Sequence, residues 1–89
     1  MELNVVAKIR ITPREINCDL DEMKGDLEGI IEEYGKLHSA EIKPVAFGLN
    51  SLEVVILLDD TRGGIEDIEE RIKRLHDVSQ VDVIEVNRI

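Results

Sequence analysis

Aromatic residues are nearly missing from this chain, which has one Phe, one Tyr and no Trp among 89 residues. Ile, Val and Leu must therefore fill whatever core it builds. One cysteine, Cys18, excludes an internal disulfide and a Cys-rich metal site. At an element boundary it reads as a small, half-buried side chain. No apolar run approaches the ~18 residues of a membrane span, and the N-terminus lacks a signal-peptide layout. A soluble, cytoplasmic protein is expected. Basic residues are also few: 11 Lys and Arg stand against 20 Asp and Glu, for a net charge of −9. Such a surface repels phosphate backbones, which argues against direct nucleic-acid binding. It suits a basic protein partner, or serves solubility alone. The length allows one domain, residues 1–89, burying roughly 60–65% of its unfolded surface.

Catalytic apparatus is missing as well. There is no glycine-rich phosphate loop, Cys-x-x-Cys or His-Glu-x-x-His. His38 and His76 lie far apart in sequence, each near an element end, and Ser39, Ser51 and Ser79 have no adjacent base. Asp59 and Asp60 are two carboxylates without further oxygen ligands, a poor site for a hard cation. At a strand-to-turn junction such residues accept backbone hydrogen bonds. No enzyme chemistry, metal or cofactor is expected.

What is present is a clear set of elements around one strand. From Leu52 to Leu58 only Glu53 is polar, and Val54, Val55 and Ile56 are β-branched. A run of strand length that is apolar at odd and even positions alike belongs in the middle of a sheet. Before it, Val5, Ala7, Ile9 and Ile11 alternate with Lys8 and Arg10, the period of a strand with one covered face, ended by Thr12-Pro13. Leu20, Met23, Leu27, Ile30, Ile31 and Tyr34 form one helical stripe, capped by Asn17 or Asp19 and stopped by Gly35. Residues Leu37 to Val45 alternate weakly and close on Pro44, as a sheet-edge strand does. A loop Ala46–Asn50 leads into the central strand, and Asp59 to Gly64 form a turn. Ile65, Ile68, Ile72 and Leu75 mark a second helix, with acids at its start and bases at its end. Val78 to Val86 is the last strand, its mixed pattern pointing to a bulge.

The order β-α-β-β-α-β predicts an α+β, ferredoxin-like sandwich: a four-stranded antiparallel sheet with both helices on one face and the first and third strands central. Two features fall outside this scheme. Phe47 stands in the Pro- and Gly-bounded loop, either folded back into the core or exposed as a partner contact. Asn87-Arg88-Ile89 follows the last strand directly. The loop and the chain end are expected at the same end of the sheet, setting a protruding aromatic beside a mobile cation.

At these residues the chain resembles a known family, archaeal elongation factor 1-beta and the exchange domain of its eukaryotic counterpart. The resemblance spans Val5-Val6-Ala7-Lys8-Ile9, Pro44-Val45-Ala46-Phe47-Gly48-Leu49, Leu52 to Asp60, Val78-Ser79-Gln80-Val81-Asp82 and Asn87-Arg88-Ile89. It implies guanine-nucleotide exchange on the GTPase elongation factor 1-alpha, which itself binds GDP, GTP and magnesium. It also implies a partner-binding set of Phe47, Gly48, Leu49, Asn50, Arg88 and Ile89. Phe47 matches an aromatic that inserts into the GTPase, and Arg88 a cation that intrudes on its magnesium and phosphate site. The chain departs from the eukaryotic pattern at Ala46, commonly glycine, and at Arg88, there lysine. The eukaryotic N-terminal extension has no counterpart, so an exchange module alone is expected. The alternative is a small-ligand regulatory domain of the ACT type, which wants a glycine-containing ligand loop after the first strand. Residues Thr12 to Asn17 contain none. An acylphosphatase-like enzyme needs an arginine-bearing phosphate loop there, and Arg14 alone is too little.

Overall fold

The alternation of the first strand decides which way the sheet faces. The computed structural model describes residues 2–61 and 64–89; Arg62 and Gly63, part of the expected turn, lie outside them. In β1 (Val5–Pro13), Ala7, Ile9 and Ile11 are buried on one face. β3 (Asn50–Leu58) puts Leu52, Val54, Ile56 and Leu58 on the same face. The helices α1 (Leu20–Ile31) and α2 (Ile65–Lys73) close over it with Met23, Leu27, Ile31, Ile68 and Ile72, making one aliphatic core. Branched aliphatic side chains fill this core in place of the missing rings.

With β2 (Gly35–Pro44) and β4 (Val78–Arg88), the sheet has the order β2-β3-β1-β4, every pair antiparallel. This is the βαββαβ ferredoxin-like arrangement, with the two most apolar strands central and the polar β2 at an edge. The other face carries charge. Glu53 is 8% exposed, and Lys8 Nζ and Arg10 Nη2 meet its two carboxylate oxygens at 3.4 and 3.3 Å. Burial opposes its charge, yet the hydrogen bonds from Arg10 and Lys8 hold its carboxyl below the ordinary value. The bulge expected in β4 falls at Ile84: Lys8 pairs with Glu85 and Ile9 with Val83.

Some element ends follow the sequence expectation and others depart from it. Asp19 is the α1 cap, its Oδ1 accepting the N–H groups of Asp21 and Glu22 at 3.1 Å. The helix stops at Ile31, before Tyr34, whose carbonyl accepts the N–H of Asp59. The chain tightens first through i→i−3 bonds from Glu33 to Ile30 and from Tyr34 to Ile31. Gly35 is therefore no helix stop. It opens β2 opposite Leu58, so close to β3 that a Cβ would overlap the carbonyl oxygen of Leu57. β1 does end at Thr12-Pro13 as expected, Pro13 being the strand's last residue, paired with Val78. Asn50, expected in the loop, is the first residue of β3, paired with Pro44.

Candidate functional site

The Phe47 turn is built by β2 and β3. Lys43 pairs with Ser51 and Pro44 with Asn50, and the fully buried Ser51 hydroxyl donates to the Lys43 carbonyl at 3.3 Å. Above that neck Val45 N–H donates to Leu49 C=O at 2.7 Å, and Leu49 N–H donates to Ala46 C=O at 3.4 Å. The three residues between, Ala46–Gly48, make a short helical turn. To close it, Phe47 takes φ 63°, ψ 31° and Gly48 φ 77°. The left-handed region is easy for Gly48 and uncommon for a bulky residue such as Phe47. The ring has no core contact to compensate, being 95% exposed. Of the two placements open to Phe47, the outward one is observed, on a hydrogen-bonded turn rather than a loose loop.

Arg88 is elsewhere. At the far row of the sheet Gly35 pairs with Leu58, Leu58 with Val5, and Val5 with Arg88. The hairpin turn lies beyond Asn50, at the other end of β3. The shared end expected from the sequence is therefore wrong. In this topology β2 and β4 run in opposite directions, so the end of β2 and the end of β4 point opposite ways. The length of β3 separates them, roughly 27 Å at about 3.4 Å per residue. Nor is the cation loose: Arg88 Nη2 pairs with Asp60 Oδ2 at 2.9 Å. Ile89 follows it, 75% exposed, its N–H donating to the Asn4 carbonyl at 3.0 Å. Gly48, Leu49 and Asn50 lie at the hairpin end with Phe47, and only Ile89 lies with Arg88.

Several neighbours escape a reading of the sequence. Ile42 and Val45 leave apolar surface exposed beside the turn, and their place in a weakly alternating strand gives little signal. Ser51 looks like a surface serine until its register with Lys43 is known. Asn4 precedes the first strand, and nothing local ties it to Asp60. Asp59 does accept backbone hydrogen bonds as expected, from Thr61 N–H at 3.0 Å and Glu2 N–H at 3.3 Å, and the Thr61 hydroxyl donates to it at 2.6 Å. A cavity of about 500 Å³ at the β1–α1 connection is lined by Arg14, Glu15, Asn17, Cys18, Asp19, Glu22, His76 and Asp77. Its carboxylates outnumber its cations, the reverse of a phosphate cradle. Burial first, and the surrounding acids after it, push the Cys18 thiol up, away from the reactive thiolate.

The EF-1 guanine nucleotide exchange domain matches residues 6–89. The chain belongs to that exchange-domain family. Among similar proteins, elongation factor 1-beta of Methanococcoides burtonii is 39% identical over 94% of each chain. Elongation factor 1-beta of Methanosarcina barkeri is 38% identical, covering 97% of this chain and 98% of its own. That of Staphylothermus marinus is 35% identical over 96% of both. The exchange-domain match takes in both candidate ends, the Phe47 turn and Arg88-Ile89. Among solved structures, the ACT domain from GTP pyrophosphokinase of Chlorobium tepidum superposes with a TM-score of 0.62 at 13% identity, covering 91% of this chain and 99% of that one. At that identity the likeness speaks for the βαββαβ fold alone. Among the described residues no helix of this exchange-family chain is long and apolar enough to cross a membrane.

Proposed function

We propose that the protein promotes GDP release from elongation factor 1-alpha, gripping the GTPase with both ends of its sheet and making no bond itself. The observation that carries this reading is Phe47, an almost fully exposed ring held outward in left-handed backbone by a hydrogen-bonded turn, in a chain of the exchange family. Backbone strain and a solvated ring both cost free energy in the isolated protein. A partner pocket that takes the ring removes it from water and offsets that cost, the behaviour of an interface anchor.

Exchange follows from differential binding. GDP and magnesium are held by the GTPase, so a factor that prefers the nucleotide-free state shifts the equilibrium towards release. One that bound both states equally would shift nothing. Phe47 supplies an apolar plug at one end. Arg88 supplies, at the other, a cation suited to the oxyanions and the magnesium neighbourhood of the nucleotide site. Gly48, Leu49 and Asn50 shape the first contact and Ile89 borders the second.

The test is release of a fluorescent GDP analogue from elongation factor 1-alpha, chased with excess unlabelled nucleotide. The wild-type chain is expected to accelerate release in proportion to its concentration until it saturates, and to co-purify with the GTPase when nucleotide and magnesium are withdrawn. Excess GDP and magnesium should dissolve that complex. Release that proceeds at the spontaneous rate at every concentration of factor would overturn the proposal.

A further inference from the structure

The ion pair of Arg88 is the outermost part of a polar cluster that joins three strand ends. Asp60 Oδ2 accepts from Arg88 Nη2 at 2.9 Å, while Oδ1 accepts from the Asn4 side-chain amide at 3.1 Å. The Asp60 N–H donates back to Asn4 Oδ1 at 3.3 Å, closing a reciprocal pair. Asn4 is itself fixed on both sides: its N–H donates to Leu58 C=O at 2.9 Å, and its C=O accepts from Ile89 N–H at 3.0 Å. The carboxylate is thus oriented from behind before it takes the guanidinium. Arg88 lies on an edge strand with a neighbour on one side only, and its side chain is 74% exposed against 35% for that of Asp60. Without Asp60 nothing among the described residues would direct it.

We infer that Asp60, braced by Asn4, is the positioning residue for Arg88, setting the guanidinium in advance of partner binding. The inference rests on the exchange reading. A guanidinium carries five N–H donors in a rigid fork, and one nitrogen serves Asp60. No other acceptor among the described residues meets the head group, so the rest of the fork stays available for an oxyanion of the partner. The pair is exposed and screened, too weak to withhold the cation. Its contribution is direction: the orientation is set before encounter, so less side-chain freedom is lost on binding.

The experiment measures GDP release with Asp60→Asn, Arg88→Ala and the double variant, together with side-chain NMR of the free protein. Asn at position 60 keeps an oxygen for Asn4 and loses the charge for Arg88. Asp60→Asn should lower the maximal release rate about threefold, within the range an exposed pair supplies, and leave the half-saturating concentration nearly unchanged. It should add no further loss in the Arg88→Ala background, whereas a merely structural role would slow both backgrounds alike. Asp60→Glu, which retains the charge, should recover part of the rate. In the free protein, Arg88 Nε–H relaxation should show a restrained side chain that loosens in Asp60→Asn. A rate for Asp60→Asn equal to or above wild type, an additive loss in the double variant, or an Arg88 head group already loose in wild type would each overturn the inference. If wild type itself fails to release GDP, the exchange reading falls, and the relaxation measurement still decides whether Asp60 positions Arg88.

Discussion

At the scale of single residues, Phe47 and Gly35 are constrained for opposite reasons. Phe47 holds φ 63° with open solvent around its ring, so the strain is in its backbone and not in its contacts. Phe47→Ala keeps that strain and removes only an exposed ring. Its folding stability should match wild type within ~0.5 kcal/mol, the ordinary range for surface changes. Phe47→Gly relieves the strain and should be more stable than Phe47→Ala by about 1 kcal/mol. Urea titrations of the variants check both statements, and a Phe47→Ala protein that unfolds early would mean the ring is packed. GTPase binding should fall by about 2 kcal/mol or more in either variant, as truncation of an anchor does. Gly35 has the reverse problem: ordinary backbone and no room, with a Cβ overlapping Leu57 C=O. Gly35→Ala should cost about 2–3 kcal/mol, since the β2–β3 pairing must shift. The lone phenylalanine in a Pro- and Gly-bounded stretch can be picked out in the sequence. The need for Gly35 cannot, because it comes from a carbonyl more than twenty positions away.

At the scale of elements, legibility follows how local the cause is. The stripe of Met23, Leu27 and Ile31, the alternation of Ala7, Ile9 and Ile11, and the apolar run of β3 all arise from period and burial, so the sequence displays them. Tyr34, on the helical stripe, lies instead beyond the end of α1, its carbonyl bonded to the N–H of Asp59, and no local pattern encodes that partner. The sequence also leaves Gly25 and Gly29 ambiguous, since close packing would justify them. In the fold both are exposed, and a Cβ at either meets nothing within 4 Å. Gly25→Ala and Gly29→Ala should therefore each stabilise the protein by about 0.5–1 kcal/mol, visible as a raised urea midpoint with an unchanged slope. The β1–β3 ion cluster contributes to the response to acid. The folded-state carboxyl of Glu53 lies below its ordinary value, so its contribution is complete above the unfolded value near ~4.3 and is lost as pH falls through the folded one. Glu33, held down first by its hydrogen bond from Arg71, acts in the same direction. Stability should decline below about pH 4.5, and less steeply in Glu53→Gln. An identical acid limb in that variant would show that the Lys8–Glu53–Arg10 cluster adds nothing.

At the scale of the molecule, the decisive quantity is the separation of the two ends. The chain is 39 Å long and 20 by 18 Å across, and its candidate contacts cap opposite ends of the sheet. A partner touched at both must span roughly 27 Å and present two distinct surfaces to this chain. Substitutions at the two ends share no neighbours and lie well beyond the ~10 Å within which effects usually couple. They should therefore act on different steps. Truncating Phe47 removes apolar burial, which weakens the complex and raises the half-saturating concentration of factor. On the proposed exchange role, truncating Arg88 removes a charge that solvent would screen at an open rim but that would act at short range near the partner's phosphates. It should slow the maximal rate of magnesium-dependent GDP release while changing affinity for the nucleotide-free GTPase only modestly. Arg88→Lys, still cationic, should keep most of the rate. The double variant should combine a raised half-saturation and a lowered maximum, its free-energy losses adding within about 0.5 kcal/mol. Titrating each variant against the GTPase, with and without a magnesium chelator, separates these terms. If the Arg88→Ala defect is equally large once magnesium is chelated, the cation does not act on the magnesium site. If the two losses fail to add, the ends are coupled through the partner and the picture of two independent grips is wrong.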